Sequence, residues 1–325
     1  MPKSRVETAC VWASNRRSHE KVSSPRLTNP LDPSIVASRT SAYTAWVVVC
    51  IVWGTTYLGI RIALETIPPF LMAACRWLSA GALLAAGLLA RGEKIPARTS
   101  WGAYALLGVL MMGFGNGGVV WAEQTVPSGL TAVLVAAIPF WMVAIERFFF
   151  QGDPFTGRRI AGLILGFLGI VLLVWPELTV SGGQSFLIGV VATQFACLGW
   201  AIGSSISRRS HHTDNVLAAS AMQMMFAGLA LAAAGLAHGE WSAVAFNART
   251  AWAMVYLVLA GSVVGYSAYS YALKYLPVTT VSLYAYINPI IAVTLGTLWL
   301  DEPFSPRIVV ASAVVLGGVL LVRGS

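Results

Sequence analysis

The sequence predicts an all-α membrane protein, with ten transmembrane helices arranged as two inverted five-helix repeats around a central cavity. Three observations carry that expectation. First, 57% of the 325 residues are hydrophobic and 10% are charged. Soluble domains carry about 25% charged residues. With a mean hydropathy of +0.72, the chain has more apolar surface than one soluble core hides, and it belongs in a bilayer. Second, apolar stretches of membrane-spanning length recur along the chain. Third, landmarks in the first half of those stretches reappear in the second half at a nearly constant interval.

A helix needs about 20 apolar residues to cross roughly 30 Å of hydrocarbon. A lipid-exposed backbone must also satisfy its own hydrogen bonds, which selects helices. The stretches that qualify are 44–64, 70–90, 103–122, 129–149, 160–176, 186–206, 216–236, 252–273, 279–299 and 307–322. The last is short and relies on its glycines for close packing. Residues 1–43 precede them. They are Ser-rich, lack an apolar core and are too polar for a cleaved signal peptide, so a disordered cytoplasmic tail is expected there. A misplaced start codon is the other reading. The net charge of +8 does not point to nucleic acid, because seven of the 21 basic residues (Lys3, Arg5, Arg16, Arg17, Lys21, Arg26 and Arg39) sit in that tail. Cys50, Cys75 and Cys197 lie inside spans, leaving no disulfide framework and no CxxC metal pattern. His211 and His212 adjoin Asp214 and read as a solvated loop. No metal and no cofactor are expected.

Charge placement orients the chain. With the tail inside, the inner loops hold Arg91, Lys94, Arg98, Arg158, Arg159, Arg208, Arg209 and Lys274, and Arg323 ends the chain on that side. The outer loops hold Arg249 and Arg307; Arg61, Arg76 and Arg147 fall within spans. The positive-inside rule then puts both termini in the cytoplasm.

The repeat is read from its prolines. Pro127 and Pro277 are 150 residues apart, as are Pro139 and Pro289. Gly115 and Gly265, and Ala122 and Ala272, share that offset. "DPF" at Asp153–Phe155 matches "EPF" at Glu302–Phe304 at 149, "GIVLLV" at Gly169 matches "GGVLLV" at Gly317 at 148, and Trp53 pairs with Trp200 at 147. The expected division is therefore a first repeat over 44–176, an external linker over 177–185 and a second repeat over 186–323. Five spans is an odd number, so the second repeat enters from the opposite side. A site between two inverted halves can open to either face by rocking.

The stretches "WGTTYLGIRIALETIPPFLMAACRWLSAG" (53–81), "GNGGVVWAEQTVPSGLTAVLVAAIPF" (115–140), "GWAIGSS" (199–205) and "YAYINPIIAVTLGTLWLDEP" (284–303) make the chain resemble EamA-type permeases of the bacterial drug/metabolite transporter superfamily. They occur in order and spread over both halves, so that the resemblance covers nearly everything after residue 44. The resemblance implies ten helices around a central cavity in a bacterial inner membrane. It also implies export of amino acids or related small metabolites, without naming one.

Ionisable groups inside a membrane cost about 2.5–3.5 kcal/mol at a span centre and are the first functional candidates. Arg61 and Glu65 are four apart and are expected to pair across a turn. Glu146 and Arg147 are expected to snorkel at the inner end of their span. Arg76 sits about two turns inside its span, where its partner is a substrate carboxylate or, alternatively, a backbone carbonyl or helix C-terminus. Glu123 ends "VVWAEQT" and is the carboxylate placed to join a cavity from the outer side. Burial would raise its pKa and suit proton coupling; a solvated helix end is the other reading.

Thr280, Tyr284 and Asn288 are spaced four apart and stack on one helix face. The equivalent face of the first repeat is Leu130, Leu134 and Ile138. The polar face is read as lining a cavity, with interhelical hydrogen bonding as the alternative. Ser262, Tyr266 and Tyr269 repeat the pattern, and Asn116 is the positional mate of Tyr266. Trp53, Thr55, Thr56, Tyr57 and Trp200 complete the set. The candidate substrate-binding residues are thus Trp53, Thr56, Tyr57, Arg76, Asn116, Trp200, Tyr266, Tyr269, Thr280, Tyr284 and Asn288. Pro139 and Pro289 are candidate helix bends, as static kinks or moving joints.

Hydroxyls, an amide and aromatics with few fixed charges suit neutral or zwitterionic solutes moved by alternating access. The competing reading is a multidrug cation/proton antiporter. It calls for a deep carboxylate in the first span, and "AWVVVCIVWGTTYLGIRIAL" has none. There is no Walker loop and no HExxH, so neither ATP drive nor a membrane enzyme is indicated. The expected partners are a small-molecule substrate and the lipid bilayer. A monomer is the simplest assembly.

Overall fold

A computed structural model of the chain describes residues 33–150, 156–180, 183–210, 214–302 and 304–323. Their regular structure is helical, with no strand among the described residues. In chain order the helices are α1 (Pro33–Ala63), α2 (Pro69–Ala90), α3 (Arg98–Ala122) and α4 (Ser128–Phe149). There follow α5 (Gly157–Val180), α6 (Gly183–Arg209), α7 (Val216–Ala237) and α8 (Ala248–Tyr275). The last are α9 (278–300) and α10 (Pro306–Arg323). Seven of them are long and apolar enough to cross a membrane: α1 from Arg39 on, α2, α3, α4, α6, α7 and α8.

Two expectations about boundaries meet the structure here. Helix α1 begins at Pro33, inside the stretch read as a tail, and residues 1–32 lie outside the described residues. The linker expected over 177–185 is helical up to Val180 and again from Gly183. The "DPF" triplet and His211–His212 lie outside the described residues.

Hydrogen bonds between connections show which ends lie together. Thr66 bonds the Ala245 carbonyl at 2.7 Å. Glu240 accepts from the Leu71 and Phe70 amides at 2.8 and 3.3 Å. Glu302 accepts from the Ser128 and Gly129 amides at 2.7 and 3.0 Å. Arg61 donates to the Glu123 carbonyl. These gather the connections at 64–68, 123–127, 238–247 and 301–302 at one end, here called the upper end. At the lower end Arg209 closes on Glu146 at 2.5 Å, and Tyr104 donates to Asp214 at 2.5 Å.

The two glutamates solve a shared problem. Helices α2 and α4 start behind Pro68 and Pro127, which have no side chain to cap the first amides. A carboxylate supplied from elsewhere satisfies those amides and meets the positive end of the helix dipole.

Helix α7 runs along α2, α10 along α5, and the Tyr284–Leu300 part of α9 against the start of α4. Small residues set the α5–α10 distance. A Cβ on Gly318 would stand 2.5 Å from the Gly166 nitrogen, so only glycine allows these backbones to approach so closely.

Two irregularities recur. Helix α3 carries a π-helical turn at Val109–Asn116, and α8 carries one at Leu257–Val264, each eight residues long. Both are followed by glycine, at Gly117 and Gly265. This register is 148 residues, so the structural mate of Asn116 is Val264, and Tyr266 corresponds to Gly118. The sequence offset of 150 holds for the prolines because the stretch up to Pro277 is two residues longer than the stretch up to Pro127.

Helices α4 and α9 are both interrupted, at 136–137 and 282–283. Pro139 follows the first break directly, as expected of a residue that removes a donor and crowds the preceding turn. Pro289 does not mark the second break. It lies inside Tyr284–Leu300, more than a turn beyond. Each break is pinned by a distant side chain. Gln194 of α6 donates to the Leu134 carbonyl at 3.3 Å, and Trp46 of α1 donates to the Val281 carbonyl at 3.1 Å.

Candidate functional site

Between the breaks and the π-helical turns lies a cavity of about 60 Å³. Its wall takes Trp53, Thr56, Tyr57 and Ile60 from α1, Arg76 and Trp77 from α2, and Gly115, Asn116 and Val119 from α3. Val135 and Ile138 come from either side of the α4 break, Ala196, Cys197 and Trp200 from α6, and Tyr284 and Asn288 from α9. Eight of the eleven candidate residues therefore meet around one space. A water needs about 10–15 Å³ of such space, so the cavity holds roughly five. A solute of more than a few heavy atoms enters only if side chains move.

Arg76 is 2% exposed. Its Nε donates to Ser262 Oγ at 2.7 Å, and its guanidinium lies 4.7 Å from the Trp77 ring. Among the described residues Nη1 has no hydrogen-bond partner. Gly261, in the π-helical turn of α8, makes room for the group, since a Cβ there would stand 3.1 Å from Nη2. The guanidinium is thus held by one edge, with a donor left over.

Trp53 anchors the aromatic part. Its Nε1 donates to the Gly261 carbonyl at 3.0 Å. Its ring stacks on Tyr269 at 5.0 Å and meets Tyr284 and Trp200 edge-on at 5.1 and 5.4 Å. Thr56 bonds back to the Trp53 carbonyl at 2.8 Å. Asn116 accepts from Trp77 Nε1 at 3.1 Å. The Asn288 amide, oriented to satisfy its neighbours, donates to the Cys50 and Tyr284 carbonyls at 2.9 and 3.1 Å. Asn288 therefore ties α9 to α1 as well as lining the cavity.

Three candidates stand apart from the wall. Tyr266 and Tyr269 are buried one layer behind it. Tyr269 bonds Ser204 at 2.8 Å and accepts from Trp200 at 3.2 Å, while Tyr266 donates to Gln223. Thr280 is half-buried and belongs to the short helix Val278–Val281 below the break. The spacing of four that joined it to Tyr284 and Asn288 presumed one unbroken helix.

Charged groups differ from expectation in two places. Arg61 and Glu65 do not pair. Helix α1 ends at Ala63, so the helical spacing no longer applies; Arg61 turns to the Glu123 carbonyl and Glu65 to Arg249 at 3.1 Å. Glu146 is held by Arg209, while Arg147 is exposed. Glu123 lies one residue past the apolar span of α3 and is fully buried, with neither carboxyl oxygen hydrogen-bonded. Burial, followed by the nearby Glu302 carboxylate, pushes its pKa well above the ordinary value near 4.5, against the pull of Arg61 and Arg76.

Sequence reasoning missed Trp77, Gln194, Gln223 and both π-helical turns. The glycines of "GFGNGG" at 113–118 and of "GSVVG" at 261–265 were the available signal, because mid-span glycine permits irregular backbone and close approach.

A model of the EamA-like transporter family matches this chain twice, over residues 40–175 and 187–324. The chain belongs to that family. It is a multi-pass membrane transporter, and its membership places it among transporters rather than enzymes. The transporter is 36% identical over 275 residues to the "Uncharacterized inner membrane transporter YedA" of Escherichia coli (strain K12), covering 84% of this chain and 87% of that one. It is 24% identical over 289 residues to the "Probable amino-acid metabolite efflux pump" of the same strain, covering 85% and 90%. A solved crystal structure aligns with a TM-score of 0.64 and 20% identity over 88% of this chain and 97% of the other, a likeness of fold.

Proposed function

We propose that the transporter exports small neutral or zwitterionic metabolites, amino acids or close relatives, through the central cavity by alternating access. The observation that carries this reading is the buried Arg76 guanidinium, clamped by Ser262 and left with a free donor in a wall of aromatics, hydroxyls and an amide. A guanidinium in that setting selects a carboxylate. It disfavours the competing reading of cation/proton antiport, because it places a positive charge where a cation would bind.

The architecture proposed with it is ten spans in two inverted repeats, residues 44–176 and 186–323, with both termini cytoplasmic in a bacterial inner membrane. Three things support it: the doubled family match, the π-helical turn in each half, and the opposite directions of α1 and α6 between the upper and lower ends. Trp53, Thr56, Tyr57, Arg76, Asn116, Trp200, Tyr284 and Asn288 contact the solute. Tyr266 and Tyr269 back them, and Glu123 carries the coupled proton.

The test is counterflow of a labelled amino-acid panel in proteoliposomes. Uptake that depends on Arg76 is expected. Flux of no amino acid by correctly folded protein, or carboxylate flux unchanged in Arg76→Gln, overturns the reading.

A further inference from the structure

A second cavity of about 280 Å³ lies at the lower end, among α3, α6, α7 and α8. It is several times larger than the central one and chemically different. Ser207, Ser210, Ser220 and Ser270 contribute hydroxyls, and Arg208, Lys274 and Asp214 contribute charge. Among the described residues neither Arg208 nor Lys274 has an ion-pair partner. Asp214 is tethered by Tyr104 at 2.5 Å. Ser220 is 1% exposed and its Oγ has no hydrogen-bond partner among the described residues. A buried, unsatisfied hydroxyl in the wall of a polar cavity favours a ligand or water that completes it.

One layer separates this space from the central cavity. Gln223 lines the lower cavity and accepts from the Tyr266 hydroxyl. The Tyr266 ring meets Trp77 and Trp200 at 6.0 and 6.4 Å, and both of these line the central cavity.

We propose that the lower cavity is a second binding site, for small solutes that carry a carboxylate. Two cations with no ion-pair partner among the described residues, set against one tethered carboxylate, leave an excess of positive charge at its mouth, which attracts and orients an anionic group. Arg208 and Lys274 hold the carboxylate. The Asp214 carboxylate accepts the ammonium of a zwitterion, and Ser220 and Gln223 meet the part of the solute that faces the Tyr266 partition. Only the onward destination of the solute rests on the transport reading; binding here does not.

The experiment uses full-length protein in nanodiscs, with native cysteines replaced and a single reporter at Ser207→Cys or, independently, Ser210→Cys. The rate of alkylation by N-ethylmaleimide is measured with three probes of one skeleton: L-leucine, 4-methylpentanoate, which lacks the amine, and isoamylamine, which lacks the carboxylate. Leucine and 4-methylpentanoate should slow alkylation about threefold at twice their dissociation constants, by simple occupancy. Isoamylamine should not, and Arg208→Gln/Lys274→Gln should abolish the protection. An Arg76→Gln background should leave it intact, which separates this site from the central one. No slowing by either carboxylate, equal slowing by the amine, persistence in the double variant or loss in the Arg76→Gln background overturns the proposal.

Discussion

Replacing Arg76 by glutamine tests the proposed solute contact most directly. In the structure the guanidinium spends Nε on Ser262 and keeps Nη1 unbonded. A carboxylate arriving there gains at least one charge-assisted hydrogen bond, worth about 1.5–3 kcal/mol. Each 1.4 kcal/mol is a factor of about ten, so loss of one such bond weakens half-saturation roughly 10- to 150-fold. Glutamine is shorter and neutral, so it does not restore the interaction. The assay is concentration-dependent flux in proteoliposomes, run in parallel with an amino acid and its amide. The amide lacks the carboxylate's charge and should lose only about 2- to 12-fold, the factor for a hydrogen bond of about 0.5–1.5 kcal/mol. Ser262→Ala, which frees the guanidinium without removing its charge, should fall between wild type and Arg76→Gln. Equal losses for acid and amide, or no loss for either, would refute the reasoning.

Other outcomes follow from groups outside the cavity. Glu123 holds its proton more tightly folded than unfolded, so its stabilising contribution is complete below about pH 4.5 and is lost as pH rises through the raised folded pKa. Thermal midpoints scanned from pH 5 to 8 should therefore decline less steeply in Glu123→Gln than in wild type; identical slopes would contradict this. Glu302→Ala strips both amide contacts from the start of α4 and should lower stability by about 0.5–2 kcal/mol, the range for a lost helix cap, read from thermal unfolding in detergent. Glu146→Gln breaks a partly exposed ion pair with Arg209, whose side chain is 40% exposed. The expected loss is under about 1 kcal/mol and should shrink further in high salt.

The helices were legible because membrane insertion writes a coarse signal of length and hydropathy. Most of the cavity wall was legible for a related reason. Trp53, Tyr57, Arg76, Asn116, Trp200, Tyr284 and Asn288 are polar or amphipathic side chains that lipid would not tolerate, and a span must turn them inward. What stayed hidden was the backbone. A π-helical turn leaves composition unchanged, and the two residues added between Val264 and Pro277 make the proline offset differ from that of the turns, so the mate of Asn116 is Val264. The α9 break falls at 282–283, ahead of Pro289, because proline is one cause of a helix interruption and not the only one. That break separated Thr280 from its presumed face. Glu65 slipped from its expected partner because helix α1 stops two residues earlier. Each miss turns on where a helix ends or changes pitch, which tertiary packing decides.

Trp46 and Gln194 show how the duplicated segments depend on one another. Trp46 belongs to the first match yet satisfies a carbonyl of the second; Gln194 does the reverse. A carbonyl stranded in hydrocarbon costs several kcal/mol. The Leu134 carbonyl also accepts from the Ala137 amide at 3.1 Å, so the first segment produced alone would lose one of two donors there, while the second would lose the Trp46 donor to its Val281 carbonyl. Reciprocal lending of this kind makes each segment a structural partner of the other through bonds that do not depend on the covalent join between them.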